Sequence, residues 1–206
     1  MGFHISWIAV RGKTPAQVCS ALNIEKTDEQ SAFPESDVDA IKLDSEWYLV
    51  HFNDLLPPEL ELTVLGPLSI DAEIIKCVIE EASMVTMASC ISNGTEKWTI
   101  LHDSEQGLTH LEVSGDVPGC YEGIKTRLLA ELDADEDPCD YLFDVPAEVC
   151  KTITGFRHDD VRENEDSNPF TVMERSKPVR VSTVSSKNLG SVATNSQTTK
   201  PWWQFW

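Results

Sequence analysis

The sequence is short of positive charge: 16 Lys and Arg stand against 35 Asp and Glu, a net charge of -19 over 206 residues. An acidic chain repels phosphate backbones, which argues against direct nucleic-acid binding. The same imbalance suits a basic protein partner, whose approach the field would steer. Long apolar runs are missing too. Residues 3–10 are apolar but far too few to span a bilayer, and they lack the basic start and small-residue cleavage site of a signal peptide. The expectation is a cytoplasmic protein. None of the six cysteines, Cys19, Cys77, Cys90, Cys120, Cys139 and Cys150, forms a Cys-x-x-Cys pair, and no Cys/His spacing fits a zinc site. They read as reduced, small apolar side chains in a chain long enough to fold without staples. Catalytic signatures are absent as well. There is no Gly-x-Ser-x-Gly, and Arg11-Gly12-Lys13-Thr14 is too short for a phosphate loop. No cofactor is implied.

What is present is an architecture. An apolar fraction of 41% is ample for one core. Asn93-Gly94 lies between two apolar-alternating runs, the strongest short-range hairpin signal, because both residues tolerate the positive φ of a type I′ turn. With a second turn at residues 103–107, residues 74–113 read as an antiparallel meander of strands 74–79, 84–91, 98–102 and 108–113. Residues 3–10 form another strand, rich in β-branched and aromatic side chains. Thr14-Pro15-Ala16-Gln17 then opens a helix, with Thr14 as cap, Pro15 at the first position and Gln17 closing a capping box; Asn23 is its left-handed stop. The polar residues 25–39 read as a loop and 41–52 as a strand. A short helix fits near 59–65, between prolines. Tyr121, Ile124, Leu128, Leu129 and Leu132 make an apolar stripe at helical spacing in a helix that starts near Pro118. Residues 141–145 read as a strand, and 146–154 as a helix stopped by Gly155.

Strands in runs with segregated helices indicate the α+β class: a mainly antiparallel sheet carrying helices 15–23, 118–132 and 146–154 on one face. Trp7, Trp47, Leu49, Trp98, Ile100, Leu111, Leu128 and Leu132 are its expected core. This domain takes residues 1–160. Residues 161–206 read as a disordered polar tail, since no apolar period is sustained there. Charge divides along the same line. Residues 1–160 hold 10 basic and 31 acidic side chains, near -21, whereas 161–206 hold 6 and 4, near +2.

Few constellations invite chemistry. With Ser92 paired to Thr95, Val85 should face His102, and Met87 should face Ile100. His110 then falls opposite Ile100, so His102, His110 and Glu112 share a sheet face with Trp98. Two imidazoles and a carboxylate there could act as acid and base or hold a metal; otherwise they are hydrogen-bonded strand residues. No metal site is expected, and these three are the nearest approach to one. Ser104 follows His102-Asp103, but adjacency in sequence does not make a triad. Asp133-Ala134-Asp135-Glu136-Asp137 has oxygens at alternate positions, as in a calcium loop. Pro138 stands where that loop needs glycine, so a solvated acidic loop is the better reading. The amides opening the Pro15 helix, beside Arg11 and Lys13, could hold an anion.

Residues 3–13, the segment His102-Asp103-Ser104-Glu105 with residues 108–113, and residues 141–158 together resemble a family of uncharacterised small bacterial proteins. The resemblance implies neither an activity nor catalytic residues. The ending Pro201-Trp202-Trp203-Gln204-Phe205-Trp206 is similar to aromatic tails on some bacterial proteins, including immunity proteins of contact-dependent toxin systems. Four large rings on a polar leash need a receiver, so Trp202, Trp203, Phe205 and Trp206 read as a docking peptide, for a partner or for the chain's own domain. The function expected is therefore non-enzymatic: an immunity or inhibitor protein covering a basic toxin or enzyme. A small enzyme or metal-binding protein using the strand histidines is the first alternative. An adaptor or structural subunit of a phage or secretion assembly is the second.

Overall fold

The computed structural model of the chain describes residues 2–136, 139–160 and 168–176. Within them, nine strands and four α-helices alternate as β1 (His4–Arg11), α1 (Pro15–Leu22), β2 (Ile24–Ser31), β3 (Val38–Lys42), β4 (Tyr48–Phe52), α2 (Leu62–Leu68), β5 (Glu73–Glu80), β6 (Val85–Ser92), β7 (Thr95–Asp103), β8 (Glu112–Gly115), α3 (Tyr121–Ala134), α4 (Asp144–Thr154) and β9 (Phe170–Arg175). The strands form one sheet in the order β2-β9-β3-β4-β1-β5-β6-β7-β8, and every pairing is antiparallel. This is the expected α+β class.

Local chemistry sets the elements. Thr14 Oγ1 accepts from the Gln17 amide (3.3 Å), and Gln17 Oε1 accepts from the Thr14 amide (2.9 Å), which is the capping box. Asn23 stops α1 at φ 54°. The β6–β7 turn puts Asn93 at φ 49° and Gly94 at φ 78°, both in the left-handed region that a type I′ turn needs.

Burial runs on both faces of the sheet, because successive strand residues point to opposite sides. Trp7, Ala9, Leu49, Ile75, Cys77, Ala88, Trp98 and Ile100 face α3 and α4, where Tyr121, Leu128, Leu132, Val145 and Val149 complete one core. Ile8, Val10, Val50, Phe52, Ile74 and Ile91 face the other way, onto Val18 and Leu22 of α1 and Leu65 and Leu68 of α2. The three expected helices therefore do not share a face: α1 lies opposite α3 and α4. The cause is visible in β1 and β5, which are mostly apolar and buried on both faces, so that each face needs a cover. Of the expected core residues only Leu111 is half-buried rather than buried.

Several boundaries differ from expectation. Residues 25–39 are not a loop: β2 and the start of β3 lie there. Residues 41–52 bend into the β3–β4 hairpin, closed by the Leu43 amide donating to the Trp47 carbonyl at 2.8 Å. Residues 141–145 form a 3-10 turn leading into α4, not a strand. The expected division at residue 160 also moves. β9 sits between β2 and β3, so the sheet reaches past it to residue 175. The remainder, residues 177–206, holds four Lys and Arg and no Asp or Glu; it lies outside the described residues, as do Trp202, Trp203, Phe205 and Trp206.

Candidate functional site

The histidines of the meander come together, but not as the sequence spacing suggests. Trp98 pairs with Cys90 and Glu96 with Ile91, so Lys97 is an extra residue in β7. Beyond this bulge the register is displaced by one: Thr86, not Val85, faces His102, and Leu101 faces Met87. A one-residue slip exchanges sheet faces, and the bulge is its source. At β8, Val113 pairs with Ile100 and Glu112 with Leu101. Glu112 therefore lies on the face away from His102, Trp98 and Ile100. His110 precedes β8 rather than sitting in it.

His102 is fully buried, and its ring is committed on both sides. Nδ1 donates to the His110 carbonyl (2.8 Å), and Nε2 lies 2.9 Å from Asp140 Oδ2, in a side chain only 6% exposed. Asp140 Oδ1 also accepts from the Phe143 amide (3.3 Å), and Thr86 Oγ1 donates to the Phe143 carbonyl (2.6 Å). The His102 ring thus ties β7 to the turn that opens α4. His110 Nδ1 accepts from the Asp103 amide (3.0 Å), leaving Nε2 3.7 Å from Glu112 Oε1. That distance is too long for a hydrogen bond. Among the described residues no three His, Cys, Asp or Glu side chains are grouped to hold a metal. Asp103, the residue beside these histidines, spends its carboxylate on the Glu105 amide and on Gln106 Nε2, both 3.0 Å away, and so caps the turn Ser104–Gln106.

A second concavity opens where β1, β5, β6 and β7 end. It has a volume of about 590 Å³ and is lined by Arg11, Asp71, Glu73, Lys97 and Trp98 among others. Arg11 pairs with Glu73 and stacks over Trp47 at 4.6 Å, so it is engaged away from the opening of α1. Cys90 lines the same groove, and burial beside Glu73 pushes its thiol up to about 12, which leaves it a poor nucleophile at neutral pH.

Comparison of the chain with protein-family models, with curated proteins and with solved structures returns no match. The surface therefore has to speak for itself. At one end of the sheet order stands β2, with Glu25, Asp28 and Glu29 exposed on it. The acidic run continues through exposed Glu35 and Asp37, around Phe33, whose side chain is 59% exposed. Cations elsewhere are largely tied down: Arg127 to Glu131 and Glu148, Arg157 to Asp144, Glu148 and Asp159, Lys151 to Asp160, Arg175 to Glu59. The excess of carboxylates is left facing water. Residue spacing alone did not flag Phe33, because residues 25–39 read as a loop in which one aromatic carries no periodic signal.

Two buried titratable side chains lie apart from these sites. Lys76, on the α1–α2 face of β5, is fully buried between Ile8 and Ser89. Burial brings its ammonium down to about 8, against the raising effect of Glu96. His51, on the other face, is 2% exposed and pushed down to about 3 by burial and by the charge of His158. All six cysteines are free, and Cys77, Cys90 and Cys150 are buried. Among the described residues no helix is long and apolar enough to cross a membrane.

Proposed function

We propose that the chain is a non-enzymatic binding protein whose acidic surface receives a basic protein, most specifically as an immunity or inhibitor protein covering a basic toxin or enzyme. The observation that carries this reading is the edge at β2 and the segment after it, where exposed Glu25, Asp28, Glu29, Glu35 and Asp37, against one exposed cation, Lys26, flank exposed Phe33 along the chain. An exposed aromatic among charges mostly of one sign supplies an anchor and a steering field together. A strand at a sheet edge also offers unpaired backbone groups to a partner, and the charges on β2 keep unsuitable strands away. The reading places the protein in the cytoplasm, in keeping with six free thiols, and gives it no direct contact with nucleic acid. The aromatic ending, Trp202, Trp203, Phe205 and Trp206, is a second contact for the partner on this proposal.

The test is capture from cell extract on immobilised full-length chain, beside a variant carrying Asp28→Lys, Glu29→Lys and Phe33→Ala. A basic protein held at low salt by the wild type and lost on the variant supports the proposal, because contacts between exposed charges are screened as salt rises. If no basic protein distinguishes the two, the proposal fails. The immunity form has its own check: the captured protein, produced alone in cells, should be toxic and should be tolerated when this chain is produced with it.

A further inference from the structure

Past α4 the chain turns at Gly155 (φ +79°) and runs over the α3–α4 side of β1. Phe156 meets Trp7 edge-on with ring centroids 5.3 Å apart, and His158 meets Phe3 edge-on at 4.6 Å. Arg157 turns back to α4 and pairs with Asp144 and Glu148, each at 2.8 Å, and with Asp159 at 2.6 Å. Lys151 of α4 holds Asp160 at 2.8 Å. Residues 155–160 are thus fastened to α4 by ion pairs, and by one ring contact each to β1 and to Phe3 just before it. Around these contacts lie three buried nitrogens with no hydrogen-bond partner among the described residues: Trp7 Nε1, His51 Nδ1 and His158 Nδ1. His51 is the direct cross-strand neighbour of Trp7, and the His158 side chain is only 4% exposed. Buried polar atoms left unsatisfied are rare, and each asks for an explanation.

We propose that residues 155–160 are an acid-released strap: proton uptake by His51 and His158 lifts it from β1 and opens the core around Trp7 and Phe156. A neutral imidazole tolerates this apolar setting, whereas an imidazolium without an acceptor does not. Two charged rings in one buried neighbourhood would also repel. The surrounding charges do not cancel this. Facing His51 from β3 is Asp39, but its carboxyl already accepts from the Ser36 amide (2.8 Å) and Ser31 Oγ (3.4 Å), and burial raises it toward the neutral acid. From β1 comes only Trp7, and from the strap itself Phe156 and His158. Around His158 stand Glu81, Asp159 and Asp160, which favour its protonation, and Arg157, which opposes it; burial outweighs them and lowers it. Asp144, one fastening of Arg157, is raised by burial and so loosens on the same side of neutrality.

The size of the effect follows from His51. Closed, its ring stays neutral down to about pH 3; released, it returns to the ordinary value of 6.5. The open strap should therefore gain about 25-fold at roughly pH 5 relative to pH 7, by proton linkage alone.

Amide hydrogen exchange across this pH range, corrected for intrinsic rates, tests the proposal on the full chain and on the variant His51→Asn with His158→Asn. The expected result is wild-type protection at residues 156–160 that drops by that factor while β5 and β6 hold theirs, and a double variant without the drop. Wild-type protection that stays level, or a double variant that loses it at the same pH, overturns the strap. If the double variant does not fold, NMR titration of the two imidazoles in the wild-type chain decides. Rings that take up protons only as the strap opens support the proposal. A ring that titrates near its ordinary value with the strap protected overturns it. None of these readings involves a partner, so failure here is separable from failure of the binding function.

Discussion

Replacing Lys76 with methionine gives the sharpest test of how the sheet interior is built. Lys76 is fully buried on the central strand β5, with Ile8 and Ser89 as its cross-strand neighbours. Its ammonium is held at about 8 against an ordinary 10.5, first of all by burial. Below pH 8 the amine is charged whether the chain is folded or not, so the full desolvation cost bears on the fold. Between 8 and 10.5 the folded protein releases its proton first, and the cost fades. A shift of this size corresponds to about 3 kcal/mol. Methionine keeps the length and removes the charge, and well-packed apolar replacements of buried charges are often neutral or stabilising. Urea unfolding of wild type and Lys76→Met should therefore show a stability difference in favour of the variant that shrinks by about 2 kcal/mol between roughly pH 7 and pH 9.5. Thiols such as Cys90 and Cys150, which burial keeps protonated in the folded chain, lose protons in this range only once the chain unfolds; they do so in both proteins and cancel in the difference. A difference that stays constant with pH would refute the reasoning, because the amine would then not be perturbed by burial.

Leu128→Ala should cost about 2–5 kcal/mol in the same assay, since Leu128 is 3% exposed against the core that α3 shares with the sheet. Asp140→Ala should cost about 3 kcal/mol or more by stranding the buried His102 ring, whereas Asp140→Asn, which keeps an acceptor oxygen, should recover part of that; equal losses would mean that the His102 contact contributes nothing. Removing residues 200–206 should leave the unfolding midpoint of the sheet domain in place and lower capture of the partner by the full chain; unchanged capture would remove the aromatic ending from the interface.

Signals confined to a few neighbouring residues carried well from sequence to structure. The capping box at Thr14 and Gln17, the left-handed Asn23 and the Asn93-Gly94 turn each depend on side chains within one or two turns of one another. The histidine site depended on register over ten residues, and there two separate shifts were decisive. Lys97 carries no glycine or proline to mark a bulge, yet it displaces β7 by one against β6. At β8, Val113 rather than His110 stands opposite Ile100, and that pairing puts Glu112 on the wrong face for His102. The true partner of His102, Asp140, lies 38 residues away and past a helix, beyond the reach of any spacing argument.

The sheet edge shows the same limit on a larger scale. β2 reads as a loop because its side chains, Ile24 apart, are exposed or half-exposed, and a strand exposed on both faces shows no alternation. β9 is hard to see for another reason: six residues, Phe170 to Arg175, stand alone in a polar stretch with no second element beside them. Each makes sense only with the other. β9 inserts between β2 and β3, gives β2 a partner, and buries Phe170 and Met173 on opposite faces of the sheet. Pairing across some 140 residues supplies what neither segment has locally, because an isolated exposed strand has no burial to offset its ordering entropy. The acidic edge proposed as the binding surface is therefore a product of this late-arriving strand. Without β9, Glu25, Asp28 and Glu29 would have no sheet to hold them in a row.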